Sequence, residues 1–264
     1  MNLKGVRIVR GKAGTICFID DFSIGLQEEI KNRLSDIFHG ASEVNSSPIF
    51  YSYSNTLKSF VERYNTKDED TKKGIIGELL AHLLYSTVYT EHKSISILKN
   101  KEERSIKKGF DIVYFDSKEF KIWYSEVKSG KSSTAKVNTT KYNTVLLDRS
   151  KSDIDEKLSS NRNSIWESAM IDATLTIEDH NQRLTLKQLL SSDSPVLIKD
   201  ISLRKNAIMI SVLYHDLSDE IEIASIEKFY ENTVRENKFL NVIAFSIQKA
   251  TYEKIARFIE SEVK

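Results

Sequence analysis

Asp111, Glu126 and Lys128 are the residues whose types and spacing could do chemistry. Two carboxylates brought to one point offer hard oxygen ligands to a divalent cation, and an ammonium beside them can hold a phosphate or orient an attacking water. A phosphodiester is already anionic and resists attack. Its hydrolysis needs the phosphate neutralised, a hydroxide made near neutral pH and the departing oxygen stabilised, and carboxylate-held Mg²⁺ can do all three. The main-chain carbonyl of Val127 offers a further hard ligand from the middle of the Glu-x-Lys triplet.

A β-hairpin would position these groups. Residues 110–116 and 121–128 are rich in β-branched and aromatic side chains, and the polar stretch from Ser117 to Phe120 separates them. A four-residue turn there sets Asp111 opposite Glu126, Val113 opposite Tyr124 and Phe115 opposite Ile122. Alternation along the strand puts Lys128 on the face of Glu126. Directly opposed Cβ atoms lie roughly 4.5–5.5 Å apart, close enough for two carboxylates to share a cation. The triplet itself discriminates little, since it recurs at Glu29/Lys31, Glu91/Lys93, Glu119/Lys121, Glu236/Lys238 and Glu262/Lys264. The Glu126 copy stands apart because it ends an apolar strand with an aspartate across the hairpin. The other reading is an exposed amphipathic hairpin whose polar face carries Asp, Glu and Lys.

Upstream, Ile75, Ile76, Leu79, Leu80, Leu83, Leu84 and Val88 recur at helical spacing and predict an amphipathic helix over 73–89. Glu78 falls away from the apolar stripe, near His82 and Tyr85. It is either a solvated outer-face glutamate or an accessory carboxylate turned toward a cleft.

Gly77-Glu78, Gly109-Phe110-Asp111 and Glu126-Val127-Lys128 match in order the glutamate-bearing helix, aspartate-bearing strand and Glu-x-Lys strand of the PD-(D/E)xK nucleases, which the chain resembles. Phe110 replaces the proline that precedes the aspartate in that pattern. A narrower resemblance covers roughly residues 70–264. The stretch Gly-Glu-Leu-Leu-Ala-His-Leu-Leu-Tyr from Gly77, Ser-Ile-Ser-Ile-Leu-Lys from Ser94, Lys108-Gly-Phe-Asp111, Trp123-Tyr-Ser-Glu-Val-Lys128 and the late segments from Asn206 and Asn241 are similar to the HamA family, nuclease subunits of the bacterial Hachiman phage-defence system. The resemblance implies a Mg²⁺-dependent DNase, with Mn²⁺ able to substitute, that leaves a 3′-hydroxyl and a 5′-phosphate. It also implies control by a separate, HamB-like helicase subunit. Asp111, Glu126, the Val127 carbonyl and Glu78 would be the metal's ligands, and Lys128 would position or activate water. An RNA substrate, or a non-cleaving module that binds nucleic acid or helicase, are the alternatives.

Composition fits an ordinary globular protein of 264 residues, 40% hydrophobic and 29% charged. A formal net charge of +1 does not mark the whole molecule as a nucleic-acid binder. Locally, Lys118, Lys121, Lys128, Lys131, Lys136, Lys141, Arg149 and Lys151 outnumber Glu119, Glu126 and Asp148, so counter-charge for phosphate gathers around the proposed site. Ser129 to Thr144 reads as a mobile polar loop in which Lys131, Lys136 and Lys141 contact the nucleic-acid backbone, or as a plain solvated loop. The single cysteine, Cys17, excludes an intramolecular disulfide framework and reads as a core residue. With no signal peptide or apolar run of membrane length, the cytoplasm is the expected location.

The expected architecture is α/β, a mixed sheet flanked by helices with a restriction-endonuclease-like core over 71–264 and a small α+β addition over 1–70. Strands over 6–9 and 15–19 and helices over 24–38 and 56–64 precede a charged linker over 65–73. Residues 1–70 are either a partner-docking subdomain or extra layers on the same core. Residues 152–176 read mainly as helix, presenting Asn161, Arg162 and Asn163 near the substrate. Strands over 205–214 and 241–248, a helix within 226–239 and another over 251–262 complete the chain. His215-Asp216 reads as a strand-ending turn rather than a catalytic dyad.

Overall fold

The computed structural model describes residues 3–99, 109–131, 138–195 and 204–263. Its described elements run β1 (Val6–Arg10), β2 (Gly14–Ile19), α1 (Ile24–His39), α2 (Ala41–Ser46), α3 (Tyr53–Asn65), α4 (Glu69–Val88), β3 (His92–Ser94), β4 (Ile112–Asp116), β5 (Lys121–Lys131), α5 (Thr139–Ser159), α6 (Asn163–Thr176), α7 (His180–Asp193), β6 (Asn206–Tyr214), α8 (Ile223–Arg235), β7 (Asn241–Lys249) and α9 (Glu253–Ser261). The strands form one mixed sheet in the order β1-β2-β7-β6-β5-β4-β3. Strands β2, β7, β6 and β5 pair in parallel, while β1, β4 and β3 join antiparallel at the edges. Every residue of β6 is buried. Such a continuous apolar run is what a parallel strand covered on both faces requires.

Two cores follow from the two faces. On one, α1, α3, α4 and α9 pack through Leu26, Leu34, Phe60, Leu80, Leu84 and Ile255 onto Ile112, Tyr114, Val127 and Ile210. On the other, α5, α6, α7 and α8 pack through Leu146, Ile154, Trp166, Leu186 and Phe229 onto Val113, Tyr124, Met209 and Ala244. Cys17 lies in the first core, fully buried, and desolvation pushes its thiol up to about 12. It is a core residue, as its apolar neighbours in sequence suggest. Among the described residues, no helix is long and apolar enough to cross a membrane.

The structure corrects several sequence-based boundaries. The linker over 65–73 is largely the start of α4, which Asp68 caps by accepting a hydrogen bond from the Thr71 N–H at 2.8 Å. The polar stretch from Ser129 to Thr144 is not one loop: Ser129–Lys131 extend β5, and α5 begins at Thr139 behind the Asn138 cap. Residues 132–137, including Lys136, lie outside the described residues, as do 101–108. The helix expected over 152–176 is two helices broken at 160–162. Residues 1–70 supply two strands of the same sheet, with β2 against β7, and helices of the same core.

Candidate active site

Glu126 is the centre of the site. It sits on β5, one strand in from the β4–β3 edge, on the sheet face covered by α5. The hairpin register follows from the turn length: Val113 pairs with Tyr124 and Phe115 with Ile122. The ladder ends at Ile112–Ser125, so Asp111 stands one residue beyond it. There its Oδ2 accepts the Val127 N–H at 2.8 Å. A strand residue's N–H and C=O leave the same edge of the strand, so the Val127 carbonyl is directed to the edge where Asp111 sits. Phe110 anchors this departure. Buried, it meets Tyr124 at 4.6 Å and Trp166 at 5.2 Å between ring centroids. An aromatic anchor thus does what a rigid proline would do, holding the chain as it leaves the sheet.

The charges alternate through the site. Lys128 Nζ lies 2.9 Å from Glu126 Oε1 and 2.5 Å from Asp153 Oδ2. Lys157 Nζ lies 2.5 Å from Glu126 Oε2 and 3.6 Å from Asp111 Oδ1. The Glu126 carboxylate is almost fully covered, at 3% side-chain exposure. Burial first, and then the neighbouring Asp111 charge, raise its pKa to about 7 against the pull of Lys157 and Lys128. For Lys128 burial works the other way, but the charge and hydrogen bond of Glu126, the hydrogen bond of Asp153 and the charge of Asp111 outweigh it and raise the ammonium's pKa. Lys128 is therefore firmly cationic at neutral pH.

Helix α5 supplies the half of the site that sequence reasoning missed. Asn143, Leu146, Leu147, Ser150 and Ile154 form its buried stripe, and Asp153 and Lys157 continue that face at helical spacing. Two polar anchors fix the helix to the sheet. Asn143 accepts from Ser211 Oγ at 2.7 Å and donates to Ser246 Oγ at 3.1 Å, and Ser150 Oγ donates to the Glu126 carbonyl at 2.7 Å. The stripe is visible in the sequence once the helix is started at Thr139 rather than Ser152.

Other sequence-derived candidates fall elsewhere. Glu78 is on α4, which covers the opposite face of the sheet. Gly77 lets that helix ride against β5, since a Cβ there would lie 1.9 Å from Ser129 Oγ. Glu78 is partly exposed, and its charge bears on Tyr114. Among the described residues, no three His, Cys, Asp or Glu side chains converge to hold a metal. Lys131 pairs with Glu253 on α9 at 2.6 Å, and Lys141 is exposed in the first turn of α5. Arg162, at the α5–α6 junction, pairs with Glu156 at 3.2 Å. His215 and Asp216 follow β6, and Asp216 accepts the Ser218 N–H in a turn.

Fold and site together define a mixed α/β protein with a buried carboxylate–lysine centre beside a sheet edge. The model of the HamA family matches residues 12–263, nearly the whole chain, and the protein belongs to that family. Comparison with curated proteins and with solved structures gave no match. Family membership supports a role in Hachiman antiphage defence.

Proposed function

We propose that the protein is a metal-dependent deoxyribonuclease with a PD-(D/E)xK-type centre, the nuclease effector of a Hachiman system under the control of a separate helicase subunit. The observation that supports this most is the place of Glu126: buried, flanked by two lysines, and adjacent to Asp111 where β4 leaves β5. The donor set suits Mg²⁺, being oxygen only: the carboxylates of Asp111 and Glu126 and the carbonyl edge at Val127. Two carboxylates gathered under cover also need positive charge, as the raised pKa of Glu126 records. Bound Mg²⁺ would supply Lewis acidity toward the phosphate and acidify water.

The chain's own residues do the rest. Asp111 and Glu126 fix the position of the cation. Lys128, held by Glu126 and Asp153, presents a fixed ammonium to the scissile phosphate or the attacking water. Lys141 and, once parted from Glu253, Lys131 offer sequence-independent contacts to the DNA backbone.

One observation favours a second reading. Both carboxylates already carry lysine counter-charge, as they would in a module that keeps the fold and binds nucleic acid or helicase without cutting. Mg²⁺- and Mn²⁺-dependent degradation of linear, circular and single-stranded DNA and of RNA separates the readings, with and without a neighbouring helicase. Metal-dependent DNA cutting that is lost in Lys128→Ala is the expected result. Cutting of RNA alone changes the substrate, and no cutting under any condition moves the assignment to the binding module.

A further inference from the structure

Lys157 is a second lysine at the centre for which the nuclease reading has no task. Its ammonium bridges the two carboxylates, 2.5 Å from Glu126 Oε2 and 3.6 Å from Asp111 Oδ1. A divalent cation shared by those carboxylates would have to stand in the same place. Lys128 takes the other oxygen of Glu126 and is held in turn by Asp153, so the two lysines are not equivalent: one flanks the pair, and the other fills the gap. Lys157 also has a way out. It stands in the last turn of α5, with its side chain 18% exposed, and a lysine stem is long and flexible enough to carry its charge into water.

We propose that Lys157 is the resident counter-ion of this site, occupying the cation's position when no metal is bound, and that metal entry requires its ammonium to leave Asp111 and Glu126. The inference rests on the metal-site reading above. The physical cause is that an ammonium and a divalent cation repel strongly at contact distance where water is largely excluded, while two gathered carboxylates need one or the other. The metal-free protein is thereby held folded and shut, and the threshold for metal occupancy is set by how firmly Lys157 is held.

The test is Mn²⁺ binding to the full chain without nucleic acid, followed by the paramagnetic resonance of the free ion. Lys157→Met keeps much of the stem and removes the charge. It is expected to tighten Mn²⁺ binding by about tenfold or more, to melt lower than wild type without metal, and to gain more melting temperature from Mn²⁺. Lys157→Arg keeps the charge and should bind like wild type. Lys157→Gln replaces the methionine variant should that one fail to fold. Asp111→Asn should abolish binding in both the wild-type and Lys157→Met backgrounds. Unchanged or weaker Mn²⁺ binding in the neutral variant, with wild-type binding still dependent on Asp111, overturns the role given to Lys157 and leaves the metal site standing. Absence of Mn²⁺ binding from wild type and neutral variant alike overturns both.

Discussion

At the turn end of the β4–β5 hairpin, Glu119 and Lys121 pair at 2.6 Å with side chains 59% and 42% exposed. At the open end, Glu126 and Lys128 pair at 2.9 Å with side chains 3% and 19% exposed. Each end also has an aspartate. Asp116 accepts the N–H groups of Lys118 and Glu119 and shapes the turn, whereas Asp111 accepts the Val127 N–H where the two strands part. The residue types and the ion-pair distances are nearly the same, so neither makes the difference. Desolvation does. An exposed pair contributes about 0–1 kcal/mol and is screened by salt. A buried pair couples to every neighbouring charge, and at the open end those neighbours are Asp111, Asp153 and Lys157.

The largest expected contrast between the two ends is catalytic. Lys128→Ala should lower metal-dependent cutting by about 10²–10⁴-fold, while Lys121→Ala leaves it intact. The measurement is initial rates on one DNA substrate with Mg²⁺, and equal losses at both ends would remove the site from the open end.

The second contrast is in pH dependence. Glu126 has a pKa of about 7 in the folded protein against an ordinary 4.5, burial being the main cause and Asp111 the next. An acid whose folded pKa is raised holds its proton more tightly when folded, so protonation favours the fold. Stability in the metal-free protein should therefore fall as pH rises from about 4.5 to about 7 and level off above, a loss of about 3 kcal/mol from this group. Glu126→Gln should flatten that slope, and Glu119→Gln should follow wild type. Denaturant unfolding in chelator at about pH 5 and about pH 7.5 checks both; a slope that survives Glu126→Gln would assign the pH dependence to another group.

Ser150→Ala sharpens the comparison on a smaller scale. It removes the hydroxyl that ties α5 to the Glu126 carbonyl. A loss of about 1 kcal/mol in unfolding free energy is expected, with a fall in cutting well short of that of Lys128→Ala. The smallest effect belongs to the turn. Lys121→Ala should change stability by within about 0.5 kcal/mol in thermal or denaturant unfolding, because both members of its pair are already in water.

The hairpin was legible because its rules are local. Side chains alternate along any strand, and a four-residue turn sets the register, so Val113–Tyr124, Phe115–Ile122 and the shared face of Glu126 and Lys128 could be read directly from the sequence. The apolar periodicity of α4 and the continuous apolar runs of β6 and β7 were readable for the same reason. α5 was harder. Its first turns are polar, so the start of a helix held to the sheet by Asn143 looked like the second half of a loop. The short β3 and α2 left too weak a pattern to be read at all, and α7, although 14 residues long, was not read either.

By itself the sequence determined which residues share a strand, a helix face or a turn, since backbone geometry sets those periods whatever the rest of the chain does. Only the tertiary structure decided which of them meet. It laid α5 over Glu126 and so delivered Asp153 and Lys157. It placed α4, and Glu78 with it, across the sheet, and it ended the β4 ladder at Ile112 so that Asp111 faces Val127. These meetings depend on how two apolar faces of one sheet are each covered by helices distant in the chain. That is a property of packing, for which no local period carries a record.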